Sequence, residues 1–119
     1  MRHDNLRDRT KKFALRVIRM VTALPKDDVA RTIGKQVLRS GTAVAAIYRE
    51  ASRARSDAEL SAKLGLVEQE LDETLLWIEL LVESEIVKPD RLQPLHEEAE
   101  ELLKIMVASI KRIKAKGKR

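Results

Sequence analysis

Apolar residues recur at steps of three and four along four successive stretches, and each stretch predicts an amphipathic α-helix. In the first, Phe13, Val17, Met20, Val21 and Leu24 share a face, and Pro25 blocks continuation. In the second, Val29, Ile33, Val37, Gly41, Val44, Tyr48 and Ala51 form the stripe, after Asp27 or Asp28 as a capping carboxylate. The third opens on Ser56-x-x-Glu59, the pattern of a capping box, and carries Leu60, Leu64, Val67, Leu71, Leu75, Ile78 and Val82. The fourth starts near Pro89 or Pro94 and carries Leu92, Leu95, Ala99, Leu102, Met106, Ile110 and Ile113. Both prolines cannot be first, so a bent or two-step start is expected. The boundaries are near 5–24, 27–54, 57–84 and 89–115. Four such helices with short turns predict one all-α domain over 1–119, an antiparallel up-down four-helix bundle.

Two local features go beyond that pattern. Ser40, Gly41, Thr42, Ala43, Ala45 and Ala46 make a run of small side chains inside the second helix, which implies close approach of another backbone. On the third helix, Leu66, Trp77 and Leu80 lie about 130–150° from the core stripe at 100° per residue. They form a second apolar strip bordered by Glu59, Glu70 and Glu73. Its simplest use is a subunit interface, with Thr42 and Ala46 as the surface it meets; scattered surface hydrophobes are the alternative.

Composition narrows the chemistry. Hydrophobic residues are 44% of the 119, enough for a folded core, and aromatic residues only 3%, which disfavours an all-β fold. There is no cysteine, hence no disulfide and no thiolate metal site. Of two histidines, His3 falls in a terminus expected to be mobile. His96 and Glu100 are spaced i, i+4, but Glu-x-x-His is missing because Gln93 stands three before His96, so no metal site is expected. Pairs such as Glu97/Glu98 and Glu100/Glu101 read as a solvated helix face, and no nucleophile elbow or Gly-rich phosphate loop occurs. No catalytic residue, cofactor or small-molecule substrate is expected. No signal peptide or apolar run of membrane-spanning length is visible, so a cytoplasmic location is expected.

Charge is distributed unevenly. Net charge is +9 over residues 1–56, −10 over 57–110 and +6 over the tail 111–119. Arg9, Lys12, Arg16 and Arg19 make a stripe on the first helix; Arg31, Lys35 and Arg39, resumed at Arg49 and Arg53, make another on the second. Cations at that spacing can meet successive phosphates of RNA or DNA, an affinity with little sequence information. A solvated face, or one that meets acidic faces of neighbouring subunits, is the alternative. A two-fold dimer would set like charge against like, so the asymmetry favours a head-to-tail, cyclic homo-oligomer.

The segment Gln36-Val37-Leu38-Arg39-Ser40-Gly41-Thr42-Ala43-Val44-Ala45-Ala46-Ile47-Tyr48-Arg49-Glu50-Ala51, with Arg53-Ala54-Arg55-Ser56 and Ala58-Glu59-Leu60 after it, resembles the "four helix bundle protein" family, also called the 23S rRNA intervening-sequence protein family. Leu24-Pro25 and Glu73-Thr74-Leu75-Leu76-Trp77-Ile78-Glu79-Leu80-Leu81 carry the likeness further. Ile47 stands where the family has Asn, Ala43 where it has Ser, and Leu60 where it has Phe. The resemblance implies an up-down four-helix bundle, often a homopentameric ring, with no established enzymatic activity. It also implies kinship with a nucleic-acid-binding accessory protein of diversity-generating retroelements. The expected function is thus a ring-forming, nucleic-acid-binding accessory protein; the alternative is an interaction scaffold whose charged faces serve self-assembly only.

Overall fold

The computed structural model describes residues 3–117, with side chains from Asn5 onward. Lys118 and Arg119, the end of the expected basic tail, and the side chain of His3 lie outside the described residues. Four helices follow in order: α1 (His3–Thr22), α2 (Asp28–Ala51), α3 (Asp57–Glu83) and α4 (Pro89–Lys116). Among the described residues there is no strand. The helices pack as the expected up-down bundle, α1 on α2, α2 on α3, α3 on α4, and α4 back on α1 through a much thinner seam. The molecule measures 53 × 21 × 21 Å.

Local chemistry sets each boundary. Asp27 accepts the amide hydrogen of Ala30 at 2.9 Å and starts α2. Ser56 accepts from Glu59 N at 3.0 Å, while the Glu59 carboxylate returns to the amide of Arg55, one residue before the usual reciprocal position. The turn of α2 at its C-terminus ends at Ala51, and residues 52–54 finish it through short turn hydrogen bonds instead of lengthening the helix. α3 ends in a Schellman motif. Glu85 N donates to Val82 O at 2.9 Å and Ile86 N to Leu81 O at 3.0 Å. That geometry puts Glu85 at φ 64°, a left-handed position that an L side chain occupies at a cost. α4 has no two-step start: one helix begins at Pro89 and runs through Pro94.

The core follows a seven-residue register on each helix, typical of knobs-into-holes packing. On α2 it comprises Ala30, Gly34, Val37, Gly41, Val44, Tyr48 and Ala51. The expected stripe is displaced at its start: Val29 is 58% exposed and Ile33 half-buried, because Ala30 and Gly34 face α1 instead. Small residues are needed there, since a Cβ on Gly34 would come within 3.1 Å of Leu24 Cδ1. Gly41 is tighter still. A Cβ there would lie 2.8 and 2.9 Å from the two methyls of Val17. On α3, Thr74 and Leu81 join the core, both with no exposed surface. Thr74 donates to the Glu70 carbonyl at 2.7 Å, which leaves its oxygen to accept from Ser40 across the α2–α3 interface at 2.8 Å. The buried hydroxyls are therefore satisfied.

The glycines separate packing from propensity. Gly41→Ala should destabilise the protein by about 1–2 kcal/mol, overpacking against the immobile, β-branched Val17 outweighing the better helix propensity. Gly65, with nothing within 4 Å of an added Cβ, should gain about 1 kcal/mol on change to Ala. Urea unfolding of both variants checks the contrast, and Val17→Ala should suppress the Gly41→Ala penalty in a double-mutant cycle. Glu85→Gly should raise stability by about 0.5–1 kcal/mol in the same assay, by removing the left-handed penalty.

Candidate nucleic-acid interface

Arg31, Lys35 and Arg49 are exposed along the outer face of α2 and Arg53 in the turn that follows it, with Thr42 and Ala46 between Lys35 and Arg49. At 1.5 Å per residue the row from Arg31 to Arg49 spans about 27 Å. At its C-terminal half the face sinks into a trough of about 840 Å³. The floor is Thr42, Ala45 and Ala46. The walls carry Arg7 and Lys11 from α1, Arg49 from α2, Arg53 and Arg55 from the loop after it, and Lys63 from α3. Glu50 and Glu59 are the carboxylates on its border. Lys63 is neutralised by Glu50 at 2.6 Å, and that hydrogen bond raises the ammonium pKa. Among the described residues the other five cations make no ion pair. The Arg7 Nε–H is buried without an acceptor, a donor that an anionic oxygen would satisfy.

The stripe on α1 is divided among three tasks. Arg9 is held by Glu98 of α4 in a two-bond fork of 2.7 and 2.8 Å, bridging the thin α1–α4 seam. These bonds raise the guanidinium pKa against a smaller lowering from burial. Lys12 pairs with Asp8 at 3.3 Å on its own helix. Arg16 and Arg19 line a cleft at the end of the bundle where the α1–α2 and α3–α4 loops meet. On α2, Arg39 is bound to Glu70 and Glu73 of α3. The structure thus brings Arg49 and Arg53 together with Arg7, Lys11 and Arg55, which the spacing rules did not select. Their signal was present as Arg7 and Lys11 at i, i+4 and the Arg53-Ala54-Arg55 stretch.

On α3, Leu66 and Leu80 are 44% and 38% exposed, and Leu76 beside them 47%. Trp77 is only half-buried and packs against the edge of the core. It lies closer to the core than the expected second strip, because Thr74 and Leu81, at i−3 and i+4 from it, widen the buried arc on that side. Its indole N–H is shut off from solvent with no acceptor. His96 contacts Glu79 at 2.9 Å through Nε2 and Glu100 at 3.4 Å through Nδ1, joining α3 and α4. No group of three or more metal-ligating side chains occurs among the described residues. No described helix is long and apolar enough to cross a membrane.

No curated protein matches the chain. A crystal structure of a protein of unknown function from the S23 ribosomal protein family of Bacteroides thetaiotaomicron VPI-5482 superposes with a TM-score of 0.86 at 31% sequence identity, covering 93% of this chain and 99% of that one. The profile of the 23S rRNA-intervening sequence proteins matches residues 4–108, nearly the whole described bundle. With the fold, the register and the sequence in agreement, the chain belongs to the 23S rRNA-intervening sequence protein family.

Proposed function

We propose that this protein is a nucleic-acid-binding accessory protein that holds the sugar–phosphate backbone of RNA or DNA along the outer face of α2. The observation that carries the reading is the trough: five cations without an ion-pair partner among the described residues surround a floor of small side chains. Small residues let a backbone approach closely, and arginines supply charge-assisted hydrogen bonds to phosphate oxygens. The trough has no aromatic side chain to stack a base, so recognition is electrostatic and sequence-tolerant. The family's name associates its members with an intervening sequence of 23S rRNA, which makes RNA the first polyanion to test.

A second reading, self-assembly as the sole purpose, is favoured by the apolar strip of α3. An indole N–H shut off from water without an acceptor costs about 1–3 kcal/mol, and a neighbouring subunit can supply the missing carbonyl. Five subunits is the number that the family resemblance favours, and the uneven charge favours joining them head to tail.

Binding to mixed-sequence RNA, followed by fluorescence anisotropy, should weaken steeply between about 50 and 200 mM salt. Neutralising Arg7, Lys11, Arg49 and Arg53 together to Gln should reduce the log–log salt slope by about 3–4 and leave the helical circular dichroism unchanged. Absence of binding by the wild-type protein at low salt would leave the scaffold reading in its place. Trp77→Ala should sediment as a smaller species than the wild type while remaining helical; an unchanged sedimentation coefficient would remove Trp77 from the interface.

A further inference from the structure

The cleft at the loop end of the bundle differs from the trough in both shape and chemistry. It occupies about 590 Å³ where the thin α1–α4 seam meets the two loops, within the size range of small-molecule sites. Its wall is apolar, built by Met20, Leu24, Ile86, Val87, Leu92 and Leu95. Leu24, Leu92 and Leu95 are core residues, so the wall is fixed by the bundle itself. Pro25 and Pro94 stiffen the two sides. Around this wall stand four cations, Arg16 and Arg19 of α1, Lys88 at the N-cap of α4 and Arg91 in its first turn. Among the described residues none of the four makes an ion pair, and no carboxylate lines the cleft.

We propose that this cleft binds a free amphipathic carboxylate: an aliphatic or aryl-aliphatic body lies on the Leu24–Val87–Leu95 wall, and the anionic head is held by Arg16, Arg19 and Arg91. Each half of the site calls for its counterpart. A polyanion such as RNA would bring polar sugars against six apolar side chains and leave that wall unused. An uncharged apolar molecule would leave four unpaired cations around it. A carboxylate bearing an apolar chain satisfies both, and the planar guanidinium offers it two parallel hydrogen bonds. The inference is independent of the nucleic-acid reading, because the cleft and the trough have no lining residue in common.

Sodium decanoate is the probe, titrated into the full-length protein by calorimetry, with methyl-group NMR to locate it. Saturable binding is expected, with shifts concentrated at Leu24, Val87 and Leu95. Decanol, which lacks the charge, and acetate, which lacks the chain, should each bind at least tenfold more weakly. Arg16→Gln with Arg91→Gln should weaken decanoate at least tenfold while the helical spectrum stays the same; these side chains are on the surface and outside the core. Equal affinity for decanol, an unchanged affinity in the double variant, or shifts centred on Leu66 and Leu80 would each overturn the proposal. So would flotation with anionic phospholipid vesicles in the absence of any titration by free decanoate, which would assign the cleft to a membrane surface.

Discussion

The seating of Val17 on the bare backbone of Gly41 fixes the spacing of α1 and α2, and much of the remaining geometry depends on it. Val17 is fully buried and, being β-branched, has little rotamer freedom in a helix. It occupies the volume that any Cβ at residue 41 would need. Gly34 under Leu24 repeats the arrangement nearer the loop. With α1 drawn in against Gly34 and Gly41, the face of α2 away from the core is turned outward. Ala46 lies on that face, with half-buried Thr42 and Ala45 on its flanks and the arginines beyond them. The run of small residues therefore serves the core at Gly41 and the floor of the trough at Thr42, Ala45 and Ala46.

The opposite boundary of the bundle, between α1 and α4, is governed by charge more than by packing. Its contact is the thinnest of the four, and the Arg9–Glu98 fork spans it. An ion pair with both partners partly exposed contributes about 1 kcal/mol at most, so it aligns the helices and cannot close them tightly. The consequence appears at the loop end. There α1 stops at Thr22, α4 begins at Pro89, and the space between them is the cationic cleft. The same seam explains why a stripe that looks continuous on α1 is not one surface in space. Arg9 faces α4, while Arg16 and Arg19 border the cleft.

The fold was legible because it rests on local rules: heptad spacing, Asp27 and Ser56 as caps, Pro25 as a stop. Where the reading slipped, a tertiary contact decided. Val29 and Ala30 are adjacent and both apolar, and periodicity alone does not choose between them; the approach of α1 selects the smaller. Thr74 reads as polar, yet it is fully buried because Ser40 and the Glu70 carbonyl satisfy its hydroxyl. Helical wheels place cations on a face, but they say nothing about the carboxylates across the groove. Glu98, Glu70 and Glu73 stand 89, 31 and 34 residues from the arginines they hold. The trough is assembled from three helices and one loop and the cleft from two helices and two loops, and no spacing along one helix announces such a site.

The charge asymmetry acquires a spatial meaning from the same pairings. Arg39 spends its charge within the molecule on Glu70 and Glu73, as Lys63 does on Glu50 and Lys116 on Asp57. Among the described residues, positive charge without an ion pair gathers at the trough, at Arg31 and Lys35, at the cleft, and at Lys111, Arg112 and Lys114 near the end of α4. The trough lies against Glu59 and Lys63 at the start of α3, whereas Trp77 and Leu80 lie 14 or more residues further along that helix, about 20 Å away. The strip therefore starts beside the trough at Leu66 and runs away from it along α3 to Leu80. If the strip of one subunit docks on Thr42 and Ala46 of the next, it takes the floor of the trough, while Arg49, Arg53 and Arg55 are left about 5–14 Å past the contact. Repeated around a ring, those arginines would make a cationic rim. In such a ring a polyanion would meet the arginines of the rim and not the covered floor, so an assembled and an unassembled protein would differ in which of these side chains the polyanion reaches.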